Sequence, residues 1–162
     1  MKPIITIFSF LLMGFSILHA QTNKVDEKNR FCIFTLGEDI SLRSVDLKNY
    51  KHNDDGTDTY YYDGIGCQSA FEMEIGQPAL TYKNSELISL RTTCYLNSGQ
   101  LLILKENADA MYGKPTSNGF DEREKSTIRL WKGNKAVVSL VQKQMEGGDD
   151  WYVYFWVRKA NQ

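Results

Sequence analysis

The chain has 162 residues, of which 19 are basic and 20 acidic, and the basic ones fall singly rather than in runs. That balance argues against nucleic acid as a partner, and the length is enough for one domain with a real core but marginal for two.

The N-terminus, Met1-Lys2, runs into an apolar stretch from Ile4 to Leu18 and then Leu18-His19-Ala20 before polar Gln21. A positive start, an apolar centre and a small residue at the cut read as a secretory signal over 1–20. The stretch is shorter than the ~20 apolar residues of a membrane-spanning helix. Removing 20 of 162 residues leaves 142, with 18 basic against 20 acidic side chains and no further apolar run of membrane length. The expected location is periplasmic or secreted. Residues 21–30 are polar and read as a flexible lead-in to a single α+β domain over 31–162.

Within that domain, Phe31 to Leu36 reads as a first strand stopped by Gly37, and Glu38 to Tyr50 as a short helix with acids early and Lys48 late. Lys51 to Asp58 is a loop of turn formers. Its Asn53-Asp54-Asp55-Gly56 invites a calcium reading, but alignment on Gly56 puts Lys51 and Tyr62 where carboxylate ligands are required. Strands follow at Tyr60-Tyr61-Tyr62, Ser69 to Ile75 and Glu86 to Leu96, the last two expected to form a hairpin across Pro78 to Ser85.

Ser98 to Tyr112 reads as a helix with Ser98 as N-cap, Leu101, Leu104, Ala108 and Met111 on one face, and Gly113 and Pro115 closing it. A rival reading makes Leu101 to Leu104 a strand and only Glu106 to Tyr112 helical. Thr127 to Lys132, Ala136 to Gln144 and Trp151 to Arg158 form an antiparallel meander turning at Gly133-Asn134 and Gly147-Gly148. The fold class is therefore α+β, with antiparallel meanders packed with one or two short helices. The order of a helix followed by three strands in both halves would fit a weak duplication.

Three cysteines, Cys32, Cys67 and Cys94, allow one disulfide in an oxidising compartment, with three pairings open. The proposed 69–75 and 86–96 hairpin brings Cys67 and Cys94 to its open end, so that pair is preferred. Their spacing does not suit a metal, and His52 is the only histidine beyond the signal; no cofactor and no metal site are expected. A histidine-dependent triad would have to use His52, in a charged loop where a solvated role is the simpler reading.

Two-residue turns put Trp131 opposite Ala136 and Leu140 opposite Phe155, and so sort the meander into faces. One face holds Trp131, Ala136, Val138, Leu140, Val153, Phe155 and Val157. The other holds Ile128, Leu130, Val137, Ser139, Val141, Tyr152, Tyr154 and Trp156. A one-sided antiparallel sheet alternates apolar with polar, and this one does not. Either the helix and the first-half strands wrap both faces, or the row Tyr152, Tyr154, Trp156 is left open as a contact surface. Tyr61 admits the same two readings, since alternation divides Tyr60, Tyr61 and Tyr62 between the faces.

The run Met111-Tyr112-Gly113-Lys114-Pro115, followed by a strand with Trp131 and a terminal hairpin, resembles a pattern of small exported bacterial domains. In architecture it is similar to the helix-plus-sheet modules of periplasmic inhibitors and outer-membrane accessory proteins; no residue role carries over from such a likeness. The expected function is a non-catalytic, exported protein-binding domain using Tyr152, Tyr154, Trp156 and Tyr61. Its sharper form is an inhibitor or immunity protein against an envelope-targeting hydrolase. The alternatives are an envelope-assembly or lipid-binding accessory protein and a carboxylate-dependent glycan or peptidoglycan hydrolase.

Overall fold

The computed structural model describes residues 24–161, so the expected signal over 1–20 lies outside the described residues. Its frame is one antiparallel eight-stranded sheet flanked by two-stranded ribbons and one long helix, the α+β class read from the sequence. The strands are β1 (Arg30–Phe31), β2 (Phe34–Thr35), β3 (Leu47–His52), β4 (Asp58–Tyr62), β5 (Ser69–Ala70), β6 (Met73–Glu74), β7 (Ala79–Lys83), β8 (Glu86–Asn97), β9 (Ser117–Asp121), β10 (Ser126–Lys132), β11 (Ala136–Gln144) and β12 (Asp150–Lys159). The helices are α1 (residues 24–27) and α2 (Ser98–Tyr112).

The large sheet runs β3-β4-β7-β8-β12-β11-β10-β9. The C-terminal strand therefore lies between β8 and β11 and fuses the two halves of the chain into one surface. The face that carries α2 is called inner below, and its reverse outer.

The C-terminal meander forms as read, with Leu140 opposite Phe155. Trp131, however, faces Val138 rather than Ala136, because the turn spans 133–136 and closes with Gly133 N donating to Ala136 O at 2.8 Å. A slip of two residues preserves parity, so the face assignment survives. Trp131, Ala136, Val138, Leu140, Val153, Phe155 and Val157 are all buried.

α2 follows the longer of the two helix readings. Its N-cap is Asn97, one residue before the expected Ser98: Asn97 Oδ1 accepts from Gln100 N at 2.9 Å, and Gln100 Oε1 accepts from Asn97 N at 3.0 Å. Gly113, at φ +86°, stops it. Leu101, Leu104 and Ala108 are buried as expected, but Tyr112 takes the place assigned to Met111, which is exposed. Trp131 Nε1 donates to Gly113 O at 2.8 Å, and Arg129 Nη2 donates to Asp109 Oδ2 at 2.6 Å, so β10 grips the end of the helix.

Three expectations for the first half are corrected. Residues 38–50 form no helix; they make two 3-10 turns, Ile40–Leu42 and Ser44–Asp46, then β3, leaving the first half without the helix a duplication would repeat. Residues 24–30 are not a loose lead-in: Val25 is fully buried, and the Asp26 carboxylate accepts from the backbone N–H groups of Asn134, Lys135 and Ala136 at 2.8–3.2 Å. That one side chain caps the β10–β11 turn.

The third correction concerns residues 69–75, which fold on themselves as the β5–β6 ribbon. Phe71 and Glu72, at φ +52° and +67°, make a turn that ordinarily calls for glycine or asparagine. β8 pairs instead with β7, through a like turn at Asn84 and Ser85, φ +51° and +66°. The preferred Cys67–Cys94 bridge rested on the other hairpin and does not form. The disulfide joins Cys32 to Cys67, with Cα atoms 5.4 Å apart. Cys94 is a free thiol facing the core from the middle of β8 opposite Val153, where burial pushes its pKa up to about 11.

Candidate functional site

The elements outside the large sheet send their apolar side chains to the inner face: Val25, Phe31, Phe34, Cys67, Met73, Leu101 and Leu104 join Val153, Phe155 and Val157 in one core. The outer face keeps the residues that sequence parity had assigned to it. Strand register carries one lateral row across it, with Lys48, Tyr61, Ala79, Arg91, Trp156, Ser139 and Leu130 opposite one another on successive strands. Tyr61 and Trp156, distant in sequence, thus share a face and a row.

Tyr61 is 38 % exposed and Trp156 36 %, while Tyr152 and Tyr154 are half-buried. Tyr60 and Tyr62 turn inward, against Tyr82 and Phe34. Tyr152 faces Tyr95, with ring centroids 5.3 Å apart, and Tyr95 is 67 % exposed. Sequence reasoning missed Tyr95. The alternation Ser89, Arg91, Thr93, Tyr95 against Leu90, Thr92, Cys94, Leu96 was the signal that held it.

A groove of about 620 Å³ opens on this face between the β3–β4 turn and strands β8 and β12. It is lined by Trp156, Ser89, Thr81, Thr59, Arg91 and Arg158 from the sheet and by Asn53, Asp55 and Thr57 from the β3–β4 turn. Each part is locally fixed. Trp156 Nε1 donates to Ser89 Oγ at 2.5 Å, and the Arg158 guanidinium lies 5.2 Å from the centroid of the Trp156 ring. The Thr59 and Thr81 hydroxyls are 3.2 Å apart across β4 and β7. Asn53 Nδ2 donates to both Thr57 and Thr59 hydroxyls at 3.0 Å.

The groove is electrostatically lopsided. Its carboxylate, Asp55, accepts from the Thr57 hydroxyl and amide at 2.7 and 3.1 Å, and these bonds hold its pKa below the usual carboxylate value. The Arg91 side chain is exposed and makes no hydrogen bond or ion pair among the described residues. The arrangement offers an aromatic platform, a hydroxyl-lined floor and guanidinium groups, which suits recognition of an acidic or amide-rich surface.

The remaining sequence candidates lie elsewhere. His52 Nδ1 is 2.7 Å from Asp58 Oδ1, which also accepts from the Tyr50 hydroxyl at 2.8 Å, so the three clamp the β3–β4 edge. The inner side has a groove of about 520 Å³ past the start of α2, walled by Phe120, Met145 and Trp151. No group of three or more potential metal ligands occurs among the described residues, and no helix there is long and apolar enough to cross a membrane.

No family model matches the chain, and no curated protein matches it. Among solved structures, a cysteine-rich secretory protein from Staphylococcus aureus subsp. aureus Mu50 is similar at 14% identity and a TM-score of 0.37. The alignment covers 74% of this chain and 44% of that one, so this chain spans less than half of its neighbour's length, a likeness too slight to carry fold or function across.

Proposed function

We propose that this chain is an exported, non-catalytic binding domain that engages a protein partner through Tyr152, Tyr154, Trp156 and Tyr61 on the outer face of its sheet. The observation behind this reading is the bare outer face itself. All four residues share it, while α2 and the small ribbons pack on the reverse side. Tyrosine and tryptophan bring large contact area at modest entropic cost and are enriched where binding energy concentrates. A disulfide inside the core region fits an oxidising, extracytoplasmic compartment.

The sharper form is an inhibitor or immunity protein that covers the active site of an envelope-targeting hydrolase. The alternatives draw less support. A lipid carrier needs an open cleft between helix and sheet, and that space is filled by Leu101, Leu104, Ala108, Tyr112 and Trp131. Hydrolysis by paired carboxylates needs two acids across a groove, and Asp55 alone lines the outer one among the described residues.

The test is capture from an envelope extract by wild type and by the Tyr154→Ala, Trp156→Ala double variant. Loss of a wild-type partner by the still-folded variant is the expected result. Unchanged capture removes the surface.

A further inference from the structure

We infer that the outer face selects an acidic protein partner, one carboxylate of which enters the groove beside Trp156 and is met by Arg91 and Arg158. This rests on the protein-binding reading above and names the chemistry of the partner.

The first observation is a segregation of charge that the chain total conceals. The whole sequence carries a net charge of −1. Strand register nevertheless places Lys48, Lys51, Arg91, Lys132, Lys143 and Arg158 on the outer face of the large sheet. The acids of the same parity are Glu86, opposite Lys83 and ion-paired with Lys159 at 2.6 Å, and Asp121 and Asp150, all at strand ends. Asp121 is already engaged, accepting from the backbone N–H groups of Arg123 and Glu124 at 3.0 and 3.1 Å. A face with this excess attracts anionic surfaces and disfavours cationic ones before any contact forms.

The second observation is where the charge is focused. Arg91 and Trp156 are direct cross-strand partners, and Arg158 lies over the Trp156 ring. Both guanidinium groups border the same 620 Å³ groove, whose own carboxylate is occupied by Thr57. A guanidinium is the donor that best matches a carboxylate, through two parallel N–H bonds. The hydroxyls of Thr59 and Thr81 line the floor, where the backbone amides of an inserted loop find partners.

The groove also decides between classes of anion. An anionic bilayer is flat and cannot reach its floor, and a polyanion such as a nucleic acid answers to a continuous basic track, whereas Arg91 and Arg158 border one groove of about 620 Å³. A folded partner presenting Asp or Glu on a loop fits both the shape and the sign.

The experiment titrates the full chain, labelled with ¹⁵N and with its disulfide intact, with hexaglutamate peptide, following the Trp156 indole N–H resonance. Hexalysine, phosphatidylglycerol vesicles and an oligothymidylate serve as comparisons. The expected result is a saturable shift with hexaglutamate and none with hexalysine. Arg91→Gln weakens it at least fivefold, and Lys143→Gln, the same charge loss on the same face away from the groove, weakens it less than twofold. Arg91 is exposed, and the amide spectrum of its variant reports whether the fold is kept.

Equal losses in the two variants, absence of a saturable shift, or tighter binding of vesicles or oligothymidylate than of hexaglutamate would each overturn the inference. Failure here is distinguishable from failure of the wider reading. Partner capture that is lost in Tyr154→Ala, Trp156→Ala but kept in Arg91→Gln removes the acidic groove and leaves the aromatic contact standing. Capture kept in both removes the two together.

Discussion

The two faces of the large sheet are built from similar side chains and are covered differently. On the inner face Trp131 and Tyr112 are fully buried, with the Trp131 indole bonded to Gly113 O and the Tyr112 hydroxyl donating to Arg30 O. On the outer face Trp156, Tyr61 and Tyr95 lie open, with the Arg158 guanidinium over the Trp156 ring and Tyr95 against Tyr152. Aromatic content therefore does not tell core from open surface. What tells them apart is whether a second layer supplies apolar area over the ring, since the Trp156 indole has a hydrogen-bond partner in Ser89 and is still exposed.

Substitutions that act on one face and spare the other test this contrast, and the largest effect belongs to the core. Trp131→Ala should cost about 3–5 kcal/mol in urea unfolding, since it opens a cavity under α2 and orphans Gly113 O. A loss below about 1 kcal/mol would mean that the helix does not depend on this contact. Next comes the bridge between the ribbon β1–β2 and the turn before β5. Replacing both Cys32 and Cys67 by serine releases a loop of 35 residues and should cost about 2–4 kcal/mol by the same measurement. Cys94→Ala should leave the disulfide intact, and wild-type Cys94 should resist thiol reagents until the protein unfolds, because it is buried and its pKa is pushed up to about 11.

Asp26→Ala leaves three N–H groups of the β10–β11 turn without their acceptor, for an expected loss of about 1–3 kcal/mol. Trp156→Ala, on the outer face, should change stability by about 1 kcal/mol or less while abolishing partner capture. A larger loss of stability would move Trp156 from contact residue to structural one.

The smallest effect concerns pH. The folded pKa of Asp55 is lowered below 3.8 by the bonds from Thr57, so its contribution to the β3–β4 turn is present above pH 3.8 and lost as pH falls through the folded value. The Thr57 amide resonance should hold steady at neutral pH and move only in acid; movement near pH 6 would implicate another group.

The legible parts of this chain were those with strong local signals. The meander could be read because Gly133-Asn134 and Gly147-Gly148 punctuate long β-favouring runs, and its face assignment tolerated a wrong turn length because the error was even. α2 could be read from its apolar spacing and the Gly113 stop. The hidden part was a turn made by residues that give no turn signal. Phe71-Glu72 adopts left-handed backbone without glycine or asparagine, so one expected strand became a ribbon, and the hairpin formed at Asn84-Ser85 between β7 and β8. The disulfide assignment fell with it. Of the outer face, Tyr61, Tyr152, Tyr154 and Trp156 were singled out from the sequence, whereas Tyr95, Arg91 and Arg158 were not. Arg91 becomes a neighbour of Trp156 only when β8 pairs with β12.

Local sequence alone determined the α+β class, the last three strands, the long helix and the parity that divides core from outer residues, because these follow from periodicity and from glycine and asparagine at turns. Only the tertiary structure decided that both halves share one sheet, that Cys32 rather than Cys94 meets Cys67, and that basic residues scattered along the chain converge on one face. The physical reason is that pairing between distant strands is selected by the packing of whole surfaces, and no short stretch of residues encodes its partner.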